Sequence, residues 1–328
     1  MNAGQPLQPL VSIIIPSFNQ GPYLRDALDS TLAQDYRPME VIVVDGGSTD
    51  ETVSILEEYG KRHPELRWWS EPDQGVADAV NKGLKHATGE FAGIQSSDDI
   101  YLPGAVATAV EQLTTHRDLG IVYGDGSIMD AQGARVLWDS FYPPFSMEAF
   151  LLGRTVLFQS STFFRLDIAR QVGGWRESCF VADLDLWLRM SFETKIEKID
   201  QRFSVWRAHP GQRNERTREI WNSYGEMLDE CEALQDAPRK LRRAAAAGRR
   251  LFTRHYNPSP SHWYMRYQLW RAILTYPRAI SAIEDKTILI PGLNRLAEAA
   301  ARLGLLTWPR QTVRQPLELR WWASSTVA

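Results

Sequence analysis

The sequence predicts an α/β fold: a doubly wound, mostly parallel sheet, followed by an α-helical extension. Two observations predict the sheet. Short apolar runs rich in β-branched residues are typical of strands buried on both faces, and apolar residues at helical spacing follow each run. A change to helix-rich, basic and aromatic sequence predicts the extension. We therefore expect one domain over residues 1–215 and a second, helical region over residues 216–328.

The first two strands are expected at residues 11–15 and 41–44, and each is followed by turn-forming residues and an amphipathic helix. Parallel strands end at the same edge of a sheet, and ligands of open α/β folds bind beyond that edge. The residues that follow these strands are therefore candidates for a binding site. They are Pro16, Phe18 and Asn19 after the first strand, and Asp45 after the second.

A weaker third strand at residues 66–70 leads through a loop to a third helix, and a fourth strand over residues 90–95 ends in Asp98 and Asp99. An acidic pair beyond a strand end is well placed to hold a metal ion and a phosphate. The alternative is that one carboxylate caps the helix predicted from Pro103 onward, since Asp is a preferred cap. The polar and flexible residues around the start of the third helix are Asp73, Gly75, Asp78 and Asn81.

In the second half of the chain, the alternation of strands and helices stops. A turn is predicted at residues 124–126 within a hairpin or meander. Asp183 is expected at the start of a helix, with Trp187 one turn later on its face. Closing strands then lead to His209.

The composition is that of an ordinary globular protein, with 328 residues of which 44% are hydrophobic and 23% charged. The two cysteines, Cys179 and Cys231, are not in a metal-binding spacing and fit a reducing compartment. We identify no secretory signal and no apolar run long enough to cross a membrane. The expected location is the cytoplasm, with any membrane contact peripheral, on the inner face of the cytoplasmic membrane.

The net charge of −3 is the sum of a basic segment and an acidic remainder of the chain. Residues 235–280 contain ten Lys or Arg against the single Asp236, which leaves the rest of the chain strongly acidic. Basic residues interleaved with Trp and Tyr suit an anionic membrane surface. The alternative is that these helices pack on the acidic domain or on a second subunit, as in a homo-oligomer. Nucleic acid is not expected, because no binding motif accompanies the charge.

Taken in order over residues 10–211, these motifs resemble the family 2 glycosyltransferases, whose catalytic domain has the Rossmann-like GT-A fold. The chain departs from the family pattern at Ser97, where an Asp-any-Asp motif is common, and at Ala182, where an acidic residue often precedes the catalytic aspartate. The resemblance rests on residues 11–19 (VSIIIPSFN), 43–50 (VVDGGSTD), 73–83 (DQGVADAVNKG) and 97–99 (SDD), and on Asp183 with residues 186–189 (LWLR).

For the donor, the resemblance implies a nucleotide-diphosphate sugar, UDP-linked in the leading interpretation, together with Mg²⁺ or Mn²⁺. Asp45 would accept hydrogen bonds from the base, and Asp98 would lie near the ribose. Asp99 and His209 would bind the metal ion. Two structural alternatives stay open, a turn residue for Asp45 and a purely structural role for His209. The remaining nucleotide-sugar contacts would come from Pro16, Phe18, Asn19, Asp73, Gly75, Asp78 and Asn81.

For the acceptor, the resemblance implies that Asp183 is the general base and that Trp187 offers an apolar platform to a sugar. The alternatives are a helix cap for Asp183 and a core position for Trp187. The predicted activity is inverting transfer of a hexosyl or N-acetylhexosaminyl group to a saccharide or lipid-linked acceptor in surface polysaccharide biosynthesis. A catalytically inactive scaffold acting through the C-terminal helices is the alternative. A dinucleotide oxidoreductase is excluded, because no G-x-G-x-x-G follows the first strand.

Overall fold

The computed structural model describes residues 8–141, 143–256 and 262–282. The rest of the predicted helical region, beyond residue 282, lies outside the described residues. The strands are Val11–Ser17 (β1), Met39–Asp45 (β2), Leu66–Ser70 (β3), Phe91–Ile94 (β4), Ile100–Tyr101 (β5), Leu119–Met129 (β6), Val136–Ser140 (β7), Thr162–Arg165 (β8) and Lys195–Arg207 (β9). The helices of the first half are Gly21–Leu32 (α1), Thr52–Arg62 (α2), Val76–His86 (α3), Ala105–Thr115 (α4) and Met147–Leu151 (α5). Those that follow are Leu166–Gln171 (α6), Ala182–Met190 (α7), Thr217–Glu230 (α8), Glu232–Gln235 (α9), Arg239–Tyr256 (α10) and His262–Thr275 (α11).

All the strands form one mixed sheet, in the order β3-β2-β1-β4-β8-β6-β9-β5, with β7 paired to β6. The first four strands in this order are parallel, so the predicted α/β class is confirmed. Beyond β4 the sheet is mixed, because β8 runs antiparallel to both β4 and β6, whereas β9 runs parallel to β6. The register places Ser17 of β1 beside Asp45 of β2, so both strands end at one edge.

The sheet is covered on both faces, which explains why its central strands are continuously apolar. Ile13 and Ile15 of β1 pack into the core on the side of α1, α2 and α4. Ile14, which points the other way, packs into the core that contains residues of α3, α6 and α7. Successive side chains of one strand thus supply two apolar layers.

The hairpin of the second half has its turn at a place that differs from the prediction. Gly124 and Gly126 lie inside β6, and the chain turns between Asp130 and Arg135 instead. A Cβ atom on Gly124 would lie 2.5 Å from the carbonyl oxygen of Gln201. The predicted turn at residues 124–126 is therefore wrong, because glycine serves there to let β9 approach β6 closely.

The C-terminal helices share a core with the α/β part. Tyr224 of α8, Ala247 of α10 and Leu269 of α11 are buried in the same cluster as Leu151 of α5. A Cβ on Gly248 of α10 would lie 1.7 Å from the carbonyl oxygen of Leu151, so the two backbones are in direct contact. This packing on the α/β part is one of the two predicted arrangements. None of the described helices combines the length and the hydropathy that a membrane crossing requires.

Candidate active site

The strand ends converge at one edge of the sheet. The backbone N–H of Gly46, after β2, donates to the carbonyl oxygen of Ser17 at the end of β1 (2.9 Å). At the end of β9, the backbone N–H of Arg207 donates to Oδ1 of Asp99, which follows β4 (3.0 Å). The structure therefore places the loops after β1, β2, β4 and β9 at a common edge.

Asp45 organises the loop that follows β2. Its Oδ2 accepts hydrogen bonds from the backbone N–H groups of Gly47 (3.2 Å) and Ser48 (2.9 Å) and from the hydroxyl of Ser70 (2.6 Å). The hydroxyl of Ser48 donates to Oδ1. The side chain is fully buried. The predicted contact with a nucleotide base is corrected accordingly, because Asp45 has no exposed atom to offer and acts as the turn residue.

The loop after β1 interlocks with the loop after β2. The backbone N–H of Asn19 donates to the hydroxyl of Ser48 (2.7 Å), and Oδ1 of Asn19 accepts from the N–H of Thr49 (2.9 Å). Asn19 has a φ of 52°, in the left-handed region that Asn tolerates better than most residues. Pro16 lies within β1 and is buried, so its predicted direct contact with the donor is not supported. Phe18 is 57% exposed, and its ring is the open group of this loop.

The loop before α3 is held by two of the predicted carboxylates. Oδ1 of Asp73 accepts from the backbone N–H of Gly75 (2.8 Å), and its other oxygen lies against Gly46 of the loop after β2. Asp78 accepts from the N–H of Gln74 (3.1 Å), at the helix N-terminus where a negative charge is favourable. Gly75 has a φ of 113°, which favours glycine at this position.

Asn81 has a role that the sequence analysis did not predict. Its amide nitrogen donates to the carbonyl oxygen of Trp175, and its amide oxygen accepts from the N–H of the same residue (both 2.8 Å). These reciprocal bonds fix the loop after α6 to α3. Asn81 thus has a structural role, and its predicted contact with the nucleotide sugar stays a prediction, because its amide has a further donor and a further lone pair.

The acidic pair after β4 does not cap a helix. Helix α4 begins at Ala105, after Gly104, and its cap makes no side-chain hydrogen bond. Asp99 is buried, and its Oδ2 accepts from the hydroxyl of Ser160 (2.9 Å). Burial and the neighbouring charge of Asp98 raise the pKa of Asp99 well above its usual range.

His209 lies against this acidic pair, whereas its predicted role as a metal ligand stays a prediction. Its Nε2 lies 2.9 Å from Oδ2 of Asp98, and its ring packs 4.4 Å from the ring of Tyr23. The hydrogen bond with Asp98 raises the pKa of His209. The amide of Gln212 also points at Asp98, with 3.4 Å between Nε2 and Oδ2.

These residues suit a cation that is bound jointly by the protein and a ligand. They suit less well a cation whose ligands all come from the protein. No cluster of three or more His, Cys, Asp or Glu side chains suited to a metal ion occurs in residues 8–141, 143–256 and 262–282. The 2.9 Å between Asp98 Oδ2 and His209 Nε2 suits two neighbouring ligands of one cation. Mg²⁺ in such sites commonly takes one or two carboxylates and completes its shell with phosphate oxygens and water.

Arg207 is a site residue that the sequence analysis missed. Its side chain is almost fully buried, and it donates from Nε to the carbonyl oxygen of Asp98 (2.9 Å) and from Nη2 to Asp26 of α1 (2.9 Å). Nη1 donates to the carbonyl oxygen of Ala131, in the turn between β6 and β7 (3.1 Å). No sequence pattern indicates this role, because an arginine at a strand end is usually exposed.

Asp183 is the second residue of α7 and is half-buried. The residue that precedes the helix is Val181, and no side chain caps the helix start. The alternative that Asp183 is a helix cap is therefore not observed. Burial raises the pKa of Asp183, whereas the backbone N–H of Leu184 and the positive charge of Arg213 lower it. Such a carboxylate can take up a proton near neutral pH more readily than an exposed one.

Trp187 and Asp185, further along α7, are structural. Trp187 is fully buried, with its ring 5.3 Å from that of Phe164, so the predicted acceptor platform is wrong and the core alternative is correct. Asp185 is also fully buried and forms ion pairs with Arg176 and with Arg189 (2.6 Å). These pairs fix α7, and therefore Asp183, to the loop that precedes the helix.

The sequence profile described as "Glycosyl transferase family 2" matches residues 12–167. An uncharacterized glycosyltransferase of Rickettsia felis is 30% identical over 249 residues, which are 70% of this chain and 41% of that protein. A chondroitin synthase of Escherichia coli is 30% identical over 184 residues, which are 56% of this chain and 26% of that protein. The chain thus spans less than half of either relative.

Two solved structures share the fold. A mannosyltransferase from Pyrobaculum calidifontis, in complex with GDP-Man and Mn²⁺, matches with a TM-score of 0.59 at 20% identity, over 92% of this chain and 81% of that one. S. aureus TarS 1–349, in complex with UDP-GlcNAc, matches with a TM-score of 0.60 at 17% identity, over 91% of this chain and 93% of that one. The resemblance to glycosyl transferase family 2 is therefore confirmed over residues 12–167, and the fold is GT-A.

Proposed function

We propose that the chain is an inverting, metal-dependent glycosyltransferase. It would move a sugar from a nucleotide-diphosphate donor, UDP-linked in our proposal, to a hydroxyl of a saccharide or lipid-linked acceptor in surface polysaccharide biosynthesis. The observation that carries this proposal is the contact of His209 with the acidic pair. Arg213, four residues after His209, donates a hydrogen bond to the carbonyl oxygen of Phe180 (2.6 Å). Phe180 lies three residues before Asp183 in the sequence. One short segment thus connects the acidic pair to the candidate base.

On the donor side, we assign the cation to the Asp98–Asp99 pair and His209. Asp98 and His209, whose Oδ2 and Nε2 lie 2.9 Å apart, would hold it together with Asp99, which is buried beside them. A bound Mg²⁺ or Mn²⁺ would supply positive charge to the diphosphate, which favours its departure. Phe18 and the interlocked loops after β1 and β2 would form the wall against the nucleoside. Asp73, Gly75 and Asp78 would shape the loop beside it.

On the acceptor side, Asp183 would act as the general base. The acceptor O–H bond breaks and the proton passes to the Asp183 carboxylate, while the oxygen forms a bond to the anomeric carbon. The bond from that carbon to the diphosphate oxygen breaks on the opposite face, and the electron pair leaves with the diphosphate. A single displacement of this kind inverts the configuration at the anomeric carbon.

The C-terminal helices support a proposal about the setting of the reaction. Tyr267, Trp270 and Leu274 of α11 are exposed at helical spacing, and the guanidinium of Arg271 lies 5.4 Å from the ring of Tyr267. Exposed aromatic residues beside arginine suit the interface of an anionic membrane. We assign this face to the inner surface of the cytoplasmic membrane, where a lipid-linked acceptor would be found.

A thermal-shift panel tests the donor assignment. UDP- and GDP-linked sugars are added with and without Mn²⁺, and the native state gains about 2.7 kcal/mol at a ligand concentration of 100 times Kd. We expect one nucleotide to give a shift that requires Mn²⁺, that is reduced in Asp98→Asn and Asp99→Asn, and that is kept in the surface control Asp118→Asn.

Asp183→Asn should keep the donor-dependent shift but transfer no sugar. A folded wild-type sample that responds to no nucleotide would contradict the proposed function. Sugar transfer at the wild-type rate by Asp183→Asn would contradict the choice of base alone.

A further inference from the structure

We propose that Ser160 is a positioning residue that holds the Asp99 carboxylate in the orientation in which it binds the cation. This inference rests on the proposed function, in which the Asp98–Asp99 pair and His209 bind Mg²⁺ or Mn²⁺. It goes beyond that function because it assigns a task to a residue outside the motifs that led to the family.

The loop that carries the acidic pair lies against a short 3₁₀ turn, Gln159–Ser161. The turn leads directly into β8, and Phe163 of β8 pairs with Gly93 of β4. The loop follows β4, whereas the turn precedes β8, which runs antiparallel to β4. Pairing of the two strands therefore brings the turn and the acidic loop to the same edge of the sheet.

The turn contacts the acidic loop at both of its ends. The amide of Gln159 donates to the hydroxyl of Ser96 (3.3 Å). The hydroxyl of Ser160 donates to Oδ2 of Asp99 (2.9 Å). The loop also closes on itself, because the backbone N–H of Asp99 donates to the carbonyl oxygen of Ser96 (3.3 Å). Residues 96–99 are therefore held as one unit against the turn.

Ser160 and Arg207 hold the two oxygens of Asp99 from different elements. Oδ1 accepts from the backbone N–H of Arg207 at the end of β9 (3.0 Å), and Oδ2 accepts from the hydroxyl of Ser160. Two such donors restrict rotation of the carboxylate about its Cβ–Cγ bond. Each oxygen of a carboxylate has a second lone pair, which can still bind a cation. The contact with Ser160 thus orients the ligand group without blocking it.

When a cation is bound, Ser160 has to be the donor in this contact. A carboxylate that binds a cation is ionised and only accepts hydrogen bonds, whereas a serine hydroxyl can donate one. Hydrogen bonds to a charged acceptor are stronger than those between neutral groups. Ser160 and Asp99 are both buried, where bulk water does not replace a missing donor. Loss of the hydroxyl should therefore weaken the hold on Asp99.

Ser161, the next residue of the same turn, provides a matched control. Its hydroxyl is also buried, but it donates to the carbonyl oxygen of Asp125 (3.2 Å) and lies 2.6 Å from Oγ of Ser204. Ser160→Ala and Ser161→Ala each remove one buried hydroxyl from the turn. Only Ser160→Ala removes a partner of Asp99.

The test is Mn²⁺ binding to the full chain in the presence of UDP or GDP, measured from the electron paramagnetic resonance signal of free Mn²⁺. We expect Ser160→Ala to raise the Kd of Mn²⁺ by about 10–100-fold, the typical effect of removing the hydrogen-bond partner of a metal ligand. Ser161→Ala should keep the wild-type Kd. Ser160→Thr, which keeps the hydroxyl, should lie closer to the wild type than Ser160→Ala does. Thermal melts without Mn²⁺ show that each variant is folded.

Sugar transfer gives a second readout. In Ser160→Ala, the Mn²⁺ concentration that gives half of the maximal rate should rise by the same factor as the Kd. The kcat at saturating Mn²⁺ should stay close to the wild-type value, because the cation restores the orientation of the carboxylate once it is bound. A purely structural defect would instead lower kcat at every Mn²⁺ concentration.

An unchanged Kd in Ser160→Ala, or an equal increase in Ser161→Ala, would overturn the inference and leave the proposed function intact. Absence of Mn²⁺ binding by the wild-type chain with either nucleotide would count against the cation in the proposed function, and the role of Ser160 would fall with it. The first result is read from the variants and the second from the wild type, so the two failures are distinguishable.

Discussion

At the scale of single residues, the candidate site depends on side chains that connect distant parts of the chain. Arg207 contacts α1, the loop after β4 and the turn between β6 and β7, and its side chain is 2% exposed. A buried guanidinium is tolerated only when its donors are used, and each of these contacts uses one. Arg207 therefore determines where Asp98 lies.

We expect Arg207→Ala to lower the free energy of unfolding by about 3–5 kcal/mol, because it removes a buried charge that donates to the Asp26 carboxylate and to two carbonyl oxygens. Arg135→Ala is the control, since Arg135 also contacts a carboxylate, Asp130, but is 84% exposed. That change should stay within about 0.5 kcal/mol. Urea unfolding of the two variants measures both values, and equal losses would show that the buried contacts of Arg207 contribute nothing.

The sequence predicts where the polar residues of the site lie better than it predicts what they do. Strand-end reasoning predicts Asp98 and Asp99 beyond the end of the fourth strand, and the structure brings His209 to within 2.9 Å of Asp98. It fails for Asp45, whose oxygens are used by Ser48 and by Ser70, the latter at the end of a different strand. It also gives no indication that the side chain of Asn81 binds Trp175, 94 positions away. Whether a polar side chain is satisfied within the protein depends on tertiary contacts that no local pattern contains.

At the scale of elements, the parallel part of the sheet follows from the sequence and the mixed part does not. A continuous apolar run predicts a buried strand, and such runs predict β1, β2 and β4, whereas β3 is a weaker prediction. The strands β8 and β9 are inserted beside β4 and β6, and β5 pairs with β9. These pairings join residues far apart in the sequence, such as Phe91 with Arg165 and Ile100 with Val205. Hydrophobic periodicity indicates that a strand exists, but it does not indicate which strand lies beside it.

Two helix glycines should respond oppositely to the same substitution. A methyl group on Gly248 would collide with the carbonyl oxygen of Leu151, whereas one on Gly225 of α8 would meet its nearest atom, Nε of Arg249, at 3.5 Å. We expect Gly248→Ala to destabilise the protein by about 1–3 kcal/mol through overpacking. Gly225→Ala should stabilise it by up to about 1 kcal/mol, because alanine is the better helix former. Thermal melts compare the two, and a stabilised Gly248→Ala variant would contradict the close contact between α10 and α5.

At the scale of the whole molecule, charge is divided between two regions. The described parts of the basic stretch, residues 235–256 and 262–280, pack on the rest of the chain through shared apolar contacts and still expose Tyr267, Trp270 and Leu274. A surface of this kind attracts anions over about 10 Å at 0.1 M salt, and much less in concentrated salt. Its attraction to a membrane should therefore depend on ionic strength.

We expect the full chain to sediment with anionic phosphatidylglycerol vesicles at low salt and to be released from them at high salt. It should not bind zwitterionic phosphatidylcholine vesicles. Each basic residue near the headgroups contributes about 1 kcal/mol to this binding. Trp270→Ala should weaken it, whereas Trp138→Ala, a change at a partly exposed Trp on β7, should not. Equal weakening by the two changes would contradict the assigned face. A dimer in light scattering that Trp270→Ala dissociates would instead identify a second copy of the chain as the occupant.

The position of β9 in the sheet has a consequence for how the protein is made. The family profile ends at residue 167, but the sheet contains β9, which lies between β6 and β5 and ends at Arg207. The ribosome therefore completes the whole family-matched segment before the chain can close its sheet. Until Arg207 emerges, the nascent polypeptide carries β5 and β6 without their common neighbour. Such unpaired edges can join to other chains. Once the chain has been translated past residue 207, β9 can pair with both β5 and β6 and cover these edges.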